Sequence, residues 1–314
     1  MAYAPFPVNP QLTAIAIAYT NPTLIADRVL PRVQVGKQEF KYLRHNTGDG
    51  ITIPNTMVGR RGRPNEVEFS ATEQTESVGS YGLEWSVPYD DIENAKDPNV
   101  NYNPQAKATE FTADLVALDR EQRTANVVFN ASNYNAGNVT TLAGASQWND
   151  ASSDPVRAIL LAMDAMIIRP NIAVMGRAVA TMLQMHPKVV AAVYAGAGNA
   201  AVGGIVGLDS LATLLGLQEI IVGEAYVNSA KPGQTVTRAR LWGKNAAFLY
   251  RNPQAMPNMG VTFGLTAQWQ NRFVATWEDR EIGLRGGVRG RVGESVKELV
   301  LCNDAGYLFA NAVA

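Results

Sequence analysis

The chain has 314 residues, of which 46% are hydrophobic and 18% are charged, and its formal net charge is −1. A protein that coats nucleic acid needs a basic surface, so this charge excludes that class, and the single cysteine excludes an intrachain disulfide and a cysteine metal cage. The charged fraction lies below the roughly 25% of a typical soluble domain, which suits a subunit whose surface is largely covered by partners.

Residues 1–35 are predicted to form an extended N-terminal arm. Prolines recur from Pro5 to Pro31, and proline disrupts both helices and strand ladders, so we expect at most one short helix around Leu12–Ala18. The apolar residues of the arm need a covering surface, on this chain or on a neighbouring subunit. The arm lacks a basic stretch followed by a long apolar core, and no apolar run approaches about 18 residues, so we expect neither a signal peptide nor a membrane span.

Residues 36–87 are predicted to form a long β-hairpin. Apolar residues follow strand spacing on both sides of a central loop, at Val33, Val35, Phe40 and Tyr42 before it and at Val67, Phe69, Leu83, Trp85 and Val87 after it. The loop carries a basic tip at Arg60, Arg61 and Arg63. An isolated hairpin is barely stable in water, so we expect this one to dock against something else.

A long helix is predicted from Pro104 to about Asn130. Asn103 is a good N-cap, and proline suits the first helical position. About 26 residues give a length of roughly 39 Å. The helix is either an ordinary core helix or the spine of an elongated subunit. Apolar residues recur three or four apart along it and predict its buried face, namely Phe111, Leu115, Leu118, Ala125 and Phe129.

The next region, 153–250, is predicted to be an α/β unit. Asp154 and Pro155 repeat the capping device and begin an amphipathic helix. A short buried strand follows at 169–176, and then a helix that Pro187 ends. His186 is expected to interact with the last carbonyls of that helix.

From Thr235 to the end, the sequence predicts β-strands separated by glycines. The stretch 283–293, "GLRGGVRGRVG", has the glycine content of a loop. Its three arginines, Arg285, Arg289 and Arg291, would suit an anionic or backbone partner.

The stretch 188–204, "KVVAAVYAGAGNAAVGG", partly matches a dinucleotide-binding fingerprint, because an apolar run precedes Gly196 and Gly198 and an acidic residue, Glu224, follows later. The apolar run could equally continue the preceding helix, and Gly203 and Gly204 are unfavourable inside the helix that the fingerprint requires. We therefore expect a glycine-rich loop and no cofactor. The two histidines lack carboxylates at metal-ligand spacing, so neither metal ligands nor catalytic residues are predicted.

Taken in order, these pieces resemble the tailed-phage major capsid proteins, whose fold is shared with encapsulin shells. The resemblance covers nearly the whole chain. It is carried by "YTNPTLIADRVLPRVQVGKQEFKYL" at 19–43, "RPNIAVMGRAVATMLQMHPKVV" at 169–190, "LWGKNAAFLYR" at 241–251 and "VLCNDAGYLF" at 300–309.

The resemblance implies an α+β capsid fold in five parts. These are an arm at 1–35, an E-loop hairpin at 36–87, a peripheral domain at 88–152 with a spine helix at 104–130, an axial domain at 153–250, and return strands at 251–314 shared by the peripheral and axial domains. It places Gly196, Gly198, Gly203 and Gly204 in an axial loop near a five- or six-fold axis.

The implied function is that of a structural shell protein of the virion, assembled in the host cytoplasm as pentamers and hexamers of an icosahedral capsid. The shell would enclose double-stranded DNA without sequence-specific binding, with no membrane and with scaffolding, portal and decoration proteins as candidate partners. An encapsulin-type shell and, less favoured, a dinucleotide-dependent enzyme are the alternatives.

Charged residues supply the candidates for contacts between subunits. Because the chain is not basic overall, we expect the arginines to pair with carboxylates of neighbouring subunits rather than with DNA. The candidates are Arg60, Arg61, Arg63, Glu66, Glu68, Arg285, Arg289 and Arg291, with Glu73 and Glu76 as further acidic partners.

Overall fold

The computed structural model describes residues 8–18, 21–45, 53–66, 71–96, 102–194, 204–231 and 233–314. Its α-helices are α1 Pro10–Ala18, α2 Ala26–Val29, α3 Tyr89–Asn94, the spine helix α4 Pro104–Val128, α5 Pro155–Ala165, α6 Arg177–Met185, α7 Pro187–Tyr194 and α8 Leu208–Leu215. Its strands are β1 Arg32–Gln34, β2 Glu39–His45, β3 Ala71–Ser77, β4 Gly79–Pro88, β5 Val139–Thr141, β6 Ile172–Gly176, β7 Glu219–Gly223, β8 Tyr226–Asn228, β9 Arg238–Arg240, β10 Ala246–Leu249, β11 Gly264–Asp279, β12 Gly287–Val300 and β13 Gly306–Ala310.

A four-stranded sheet, in the order β1-β11-β12-β4, supports the spine helix. Strands β11 and β12 form a long antiparallel hairpin, interrupted between Trp269 and Phe273 where Gln270 adopts a positive φ of 60°. Arm helix α1 lies against β11 and the spine helix. The three elements share a small core, formed by Leu12, Ala16, Trp85, Val87, Ala113, Val274 and Val292.

The spine helix begins as predicted, and over its second half it buries predicted residues, since Ala125 is buried and Leu118 and Phe129 pack against the second core. Over its first half it buries a different face. The Asn103 side chain accepts hydrogen bonds from the backbone N–H groups of Gln105 at 3.1 Å and Ala106 at 3.0 Å. Phe111 and Leu115, predicted to be buried, are 64% and 41% exposed. The buried face is made mainly of small and polar residues: Thr109, Thr112, Ala113, Val116, Arg120, Glu121, Thr124, Ala125 and Val128.

Small side chains are selected on this face because the helix lies close to the sheet. Buried threonines are tolerated there because each hydroxyl can bond the helix's own backbone. Thr109 donates to the Gln105 carbonyl at 2.8 Å, and Thr112 donates to the Ala108 carbonyl at 2.7 Å. The prediction from Phe111 and Leu115 was therefore wrong about which side of the helix faces the core.

A five-stranded sheet, in the order β5-β13-β10-β6-β7, forms the second core. Helices α5 to α8 pack on one face of it, through residues such as Ile159, Met163 and Leu183. A second cluster joins Ile25 and Leu30 of the arm to other residues of the sheet and to the end of the spine helix. This sheet therefore contacts two layers, and the arm belongs to one of them.

The predicted α/β unit is confirmed in its first elements. Asp154 caps α5 by accepting from the Arg157 N–H at 3.1 Å, and β6 is fully buried. Helix α6 ends at Met185, just before Pro187, as predicted, and a further helix that was not predicted, α7, begins at Pro187. Proline is compatible with a first helical position, where its missing N–H would have no partner.

His186 lies between the two helices. Its backbone N–H donates to the Leu183 carbonyl at 3.3 Å at the end of α6, as expected of a helix-end residue, whereas its side chain serves α7. Its Nδ1 accepts from the Lys188 N–H at 3.2 Å, so the ring caps the start of α7. Its Nε2 lies 3.1 Å from both the Ser153 hydroxyl and the Asp150 carbonyl. The imidazole is buried and joins this helix junction to the loop before α5.

The paired part of the predicted hairpin is shorter than 36–87. Strand β2 pairs with β3 in a register from Glu39↔Ser77 to His45↔Ala71, whereas β4 pairs with β12. Trp85 and Val87 of β4 are buried in the core beneath the spine helix. Their burial against that core draws β4 into the four-stranded sheet. The predicted strand residues Val67 and Phe69 lie outside the described residues.

The arginine-rich stretch predicted as a loop is mostly strand. Arg289 and Arg291 lie on β12, and the connection between β11 and β12 is only 280–286. Glycine occurs within this strand because neighbouring groups occupy the space of a side chain. A Cβ on Gly290 would lie 2.3 Å from the Trp85 ring, which fills that position.

The apolar run before Gly196 is helix α7, so the first strand of a dinucleotide-binding unit is not formed there. Gly196, Gly198 and Gly203 lie outside the described residues, and Gly204 is exposed. Glu224, the acidic residue of the fingerprint, lies 3.5 Å from Arg177 in an ion pair. Within the described ranges, no helix is long and apolar enough to cross a bilayer.

Candidate interaction surfaces

The tip of the hairpin is an exposed loop, of which 53–66 is described. Its shape is set by local hydrogen bonds, from the Gly62 N–H to the Gly59 carbonyl at 2.9 Å and from the Asn65 amide to the Asn55 carbonyl at 2.8 Å. Ile53 and Met57 are 94% and 86% exposed. The tip therefore presents apolar side chains that the described residues do not cover.

The predicted basic tip residues Arg60, Arg61 and Arg63 are all exposed, as is Glu66. Within the described part of the chain, no ion pair involves any of these four residues. Glu68 lies outside the described residues. The three arginines are available for a partner, but whether that partner is another subunit stays a prediction.

The base of the hairpin is attached to the body of the subunit, so the tip projects from a fixed support. Tyr42 is buried in a cluster with Leu265, Ala267, Leu299 and Leu301. The Leu43 N–H donates to the Pro257 carbonyl at 2.9 Å.

The further acidic candidates on β3 are already paired within the chain. Glu73 pairs with Lys41 across the hairpin, and Glu76 lies 3.3 Å from Lys297 of β12. Surface ion pairs of this kind contribute only about 0–1 kcal/mol, so the two carboxylates can exchange partners at low cost.

Arg285, Arg289 and Arg291 lie beside the four-stranded sheet and have acidic neighbours in the same chain. Arg285 lies 3.4 Å from Asp90, and Arg289 lies 2.8 Å from Asp279 and 3.6 Å from Glu84. Arg291 also pairs with Glu84. Hydrogen bonding from Arg291 is the main cause that lowers the pKa of Glu84.

The structure therefore groups Arg289 and Arg291 around one carboxylate and leaves Arg285 on the turn. A contact of these residues with another subunit stays a prediction, and such a contact would have to compete with the intrachain ion pairs.

An ionic cluster ties the arm to the rest of the subunit, and sequence reasoning missed it. Asp27 of α2 accepts from Arg120 at 2.6 Å and from Arg32 at 2.7 Å. Arg32 and Arg272 both reach Glu294 of β12, at 2.8 Å and 3.2 Å. Burial acts to raise the pKa of Asp27 and of Glu294, but the arginines outweigh it and hold both below their ordinary values.

The described residues contain no cluster of three or more His, Cys, Asp or Glu side chains suited to a metal ion. Cys302 is buried, and burial raises the pKa of its thiol, which leaves it unreactive.

No protein-family model matches the chain. A major capsid protein of Pseudomonas phage JBD67 is 52% identical to it over 314 residues, covering 100% of both chains. This chain belongs to the phage major capsid proteins. It is a structural component of the virion and not an enzyme.

Solved structures show the same fold. A phage-related protein from Bordetella bronchiseptica RB50 has a TM-score of 0.74 at 23% identity, covering 98% of both chains. The capsid of Cyanophage P-SCSP1u has a TM-score of 0.58 at 11% identity, covering 99% of this chain and 92% of its own. The predicted α+β, tailed-phage major capsid fold is confirmed.

Exposed apolar side chains would be unusual on a protein that stays a monomer, but a capsid subunit has neighbours that can cover them. Ile53 and Met57 on the hairpin tip, and Phe111 and Leu115 on the spine helix, are apolar side chains exposed in the single chain. Contiguous exposed apolar surface commonly marks an interaction site. The tip was found from the sequence, whereas Phe111 and Leu115 were missed because helical periodicity alone does not tell which side faces the core.

Proposed function

We propose that this capsid subunit forms pentamers and hexamers of an icosahedral shell that encloses double-stranded DNA. The observation that carries the proposal is the hairpin tip, which combines exposed apolar residues with three arginines that form no ion pair with any described residue, on a base that is packed into the subunit. Family membership supports the shell, because the relative at 52% identity is a major capsid protein. That relative is a phage protein, so the encapsulin-type alternative has less support.

The hairpin tip contributes to assembly rather than to the fold of the subunit. Its described residues are exposed, so the single chain gains little from them. Burial of 1,000 Å² of apolar surface between subunits stabilises by roughly 25 kcal/mol before the entropic costs of association. A shell interface of that kind needs projecting apolar segments, and this loop is one.

The five-part division proposed from the sequence accompanies this function. The arm at 1–35, hairpin, peripheral domain at 88–152, axial domain at 153–250 and return strands would each meet neighbours in the shell. The axial loop with Gly196, Gly198, Gly203 and Gly204 would surround a five- or six-fold axis. Assembly would take place in the host cytoplasm, with scaffolding, portal and decoration proteins as further partners.

Deletion of the tip from Thr47 to Pro64, joined by a short glycine–serine linker, tests the proposal. We expect a folded subunit that does not form stable shells, because the described residues that the deletion removes, 53–64, are all exposed. Circular dichroism measures the fold, and size-exclusion chromatography with negative-stain microscopy measures assembly.

A control replaces residues 229–236 between β8 and β9, of which 229, 231 and 233–236 are exposed, by a linker of equal length. Shells of normal yield and thermal stability from the tip deletion would contradict the proposed role of the hairpin. A wild-type chain that stays a monomer of 33.8 kDa in every assembly condition, with scaffold supplied, would contradict the shell itself.

A further inference from the structure

Glu121 is a fully buried carboxylate at the point where the arm, the spine helix and the second core meet. Its Oε1 accepts from the Ile25 N–H at 2.9 Å and from the Trp242 indole N–H at 2.6 Å. Its Oε2 accepts from the Ala26 N–H at 2.7 Å. One side chain of the spine helix thus binds both the arm backbone and a side chain from the region of the five-stranded sheet.

The arm helix depends on this carboxylate. Ile25 is the N-cap residue of α2 and supplies no side-chain cap of its own. Glu121 therefore satisfies the first N–H groups of α2 from another element, as an N-cap side chain normally would.

Trp242, the other donor, is held firmly in place. Its ring occupies the position that a Cβ on Gly223 of β7 would take, since the two would lie 2.1 Å apart. The edge of the Phe129 ring meets it at a centroid distance of 5.6 Å. The indole N–H is therefore directed at Glu121 by packing on the sheet side.

The hydrogen bonds to Glu121 all come from neutral donors. On the spine helix, Arg120 directs its guanidinium to Asp27 and to the Thr266 hydroxyl. The nearby charged groups of the arm, β11 and β12 are held in other ion pairs. Arg32 pairs with Asp27 and Glu294, and Arg272 also pairs with Glu294. Glu298 pairs with Arg123 of the spine helix. From the sheet side, among the described residues, the group that reaches Glu121 is the uncharged indole.

A buried carboxylate without an ion-pair partner favours its neutral form, because the ionised form has lost its hydration. If the arm lifts away, water reaches Glu121 and the ionised form recovers that hydration. We propose that Glu121 is a proton-linked clamp, which holds arm segment 21–32 more tightly when protonated and less tightly when ionised.

The electrostatics of the site agree with this direction. Burial is the main influence on Glu121 and raises its pKa, although the hydrogen bonds from Ile25, Trp242 and Ala26, and the positive charge of the neighbouring Arg120, act to lower it. A carboxyl whose pKa is raised in the docked state stabilises docking at low pH, and this contribution is lost as the pH rises through the docked-state value. The pKa values of Asp27 and Glu294 are lowered, so the ion pairs of the arm persist under mildly acidic conditions.

Hydrogen exchange of the full chain between about pH 5 and about pH 8 tests the clamp, with protection factors for 21–32 corrected for intrinsic exchange. Size-exclusion chromatography establishes that the assembly state is the same at both ends of the range. We expect protection to be higher at the acidic end, by about tenfold for each unit by which the docked-state pKa lies above the acidic end of the range. Equal protection at both ends, or higher protection at the alkaline end, overturns the proposal.

Glu121→Gln assigns the effect to this side chain. The amide is neutral at every pH and nearly the same shape, so protection of 21–32 should stay high and lose its pH dependence. Asp114→Asn is the matched control, because Asp114 makes another contact with the arm, accepting from the Asn21 amide at 2.8 Å, and asparagine keeps that acceptor. The control should keep the wild-type profile. A pH dependence that survives in Glu121→Gln belongs to another group and overturns the proposal.

Trp242→Phe provides a second measurement that does not remove the carboxyl. The indole N–H is a side-chain donor that favours the ionised form and that a substitution can remove, so its loss should move the midpoint of the protection profile to higher pH. An unchanged midpoint, or one moved to lower pH, contradicts the clamp. If either substitution prevents folding, the pH dependence of protection of 21–32 in the wild-type chain decides the question by itself.

Discussion

Individual glycines in this chain owe their presence to different causes, and the sequence does not distinguish them. Gly290 lies in the middle of β12 with the Trp85 ring across it, and a Cβ would come within 2.3 Å of that ring. Gly36 lies in the connection between β1 and β2, where no atom is within 4 Å of the Cβ position. Only the three-dimensional neighbourhood shows that the first glycine is required by packing.

Gly290→Ala should therefore destabilise the isolated subunit, by about 1–3 kcal/mol, because the ring of Trp85 must move from a packed position. Gly36→Ala is the control and should change stability by less than about 0.5 kcal/mol. Urea unfolding of both variants measures the difference. Equal stability of the two would show that the Trp85 ring can shift without loss and that the glycine is not a packing requirement.

At the scale of elements, the spine helix shows how helical periodicity can identify the right helix and, over its first half, the wrong face. Its start was predictable, because Asn103 and Pro104 act locally. The apolar side chains Phe111 and Leu115 suggested one face, but the sheet accepts the smaller Ala113 and Val116 on the other. Which face of the helix is buried depends on how closely the sheet approaches the helix, and tertiary structure sets this distance.

Paired alanine substitutions on the spine helix test this assignment. Val116→Ala should lower the free energy of unfolding by about 1–3 kcal/mol, because it leaves a cavity beneath the helix. Phe111→Ala should change it by less than about 0.5 kcal/mol, because the ring is largely exposed in the single subunit and alanine favours the helix. Chemical denaturation of unassembled subunits measures both. A larger loss of unfolding free energy for Phe111→Ala than for Val116→Ala would mean that the face containing Phe111 packs on the core, as predicted from the sequence.

At the scale of the whole molecule, the order of elements was predictable and the connections between distant elements were not. The arm, the spine helix and the first α/β elements follow from prolines, caps and periodicity, which are local signals. The clamp at Glu121 and the cluster around Asp27 join residues that are far apart in sequence, so no local pattern indicates them. The exposure of Arg60, Arg61 and Arg63 was predictable, because they are charges in a polar turn. Their role as a contact surface stays a prediction.

Substitution of these three arginines tests how the whole subunit assembles into a shell. The first variant replaces Arg60, Arg61 and Arg63 together by alanine. It should lower shell yield or thermal stability. The isolated subunit should stay folded, since no described residue forms an ion pair with these arginines. Replacement of all three by lysine is the matched control, because it keeps the charge and removes the planar group that binds a carboxylate through two hydrogen bonds. Partial rescue by lysine would indicate that charge alone contributes.

The same variants separate a neighbouring subunit from packaged DNA as the partner of the tip. Loss of assembly in the alanine variant supports pairing between subunits, and normal assembly with a selective loss of packaged DNA reverses that assignment. Normal behaviour in both assays would mean that the three arginines are solvated charges, as single exposed ion pairs of about 0–1 kcal/mol often are. We expect the first result, because a chain with a net charge of −1 has no general attraction for DNA.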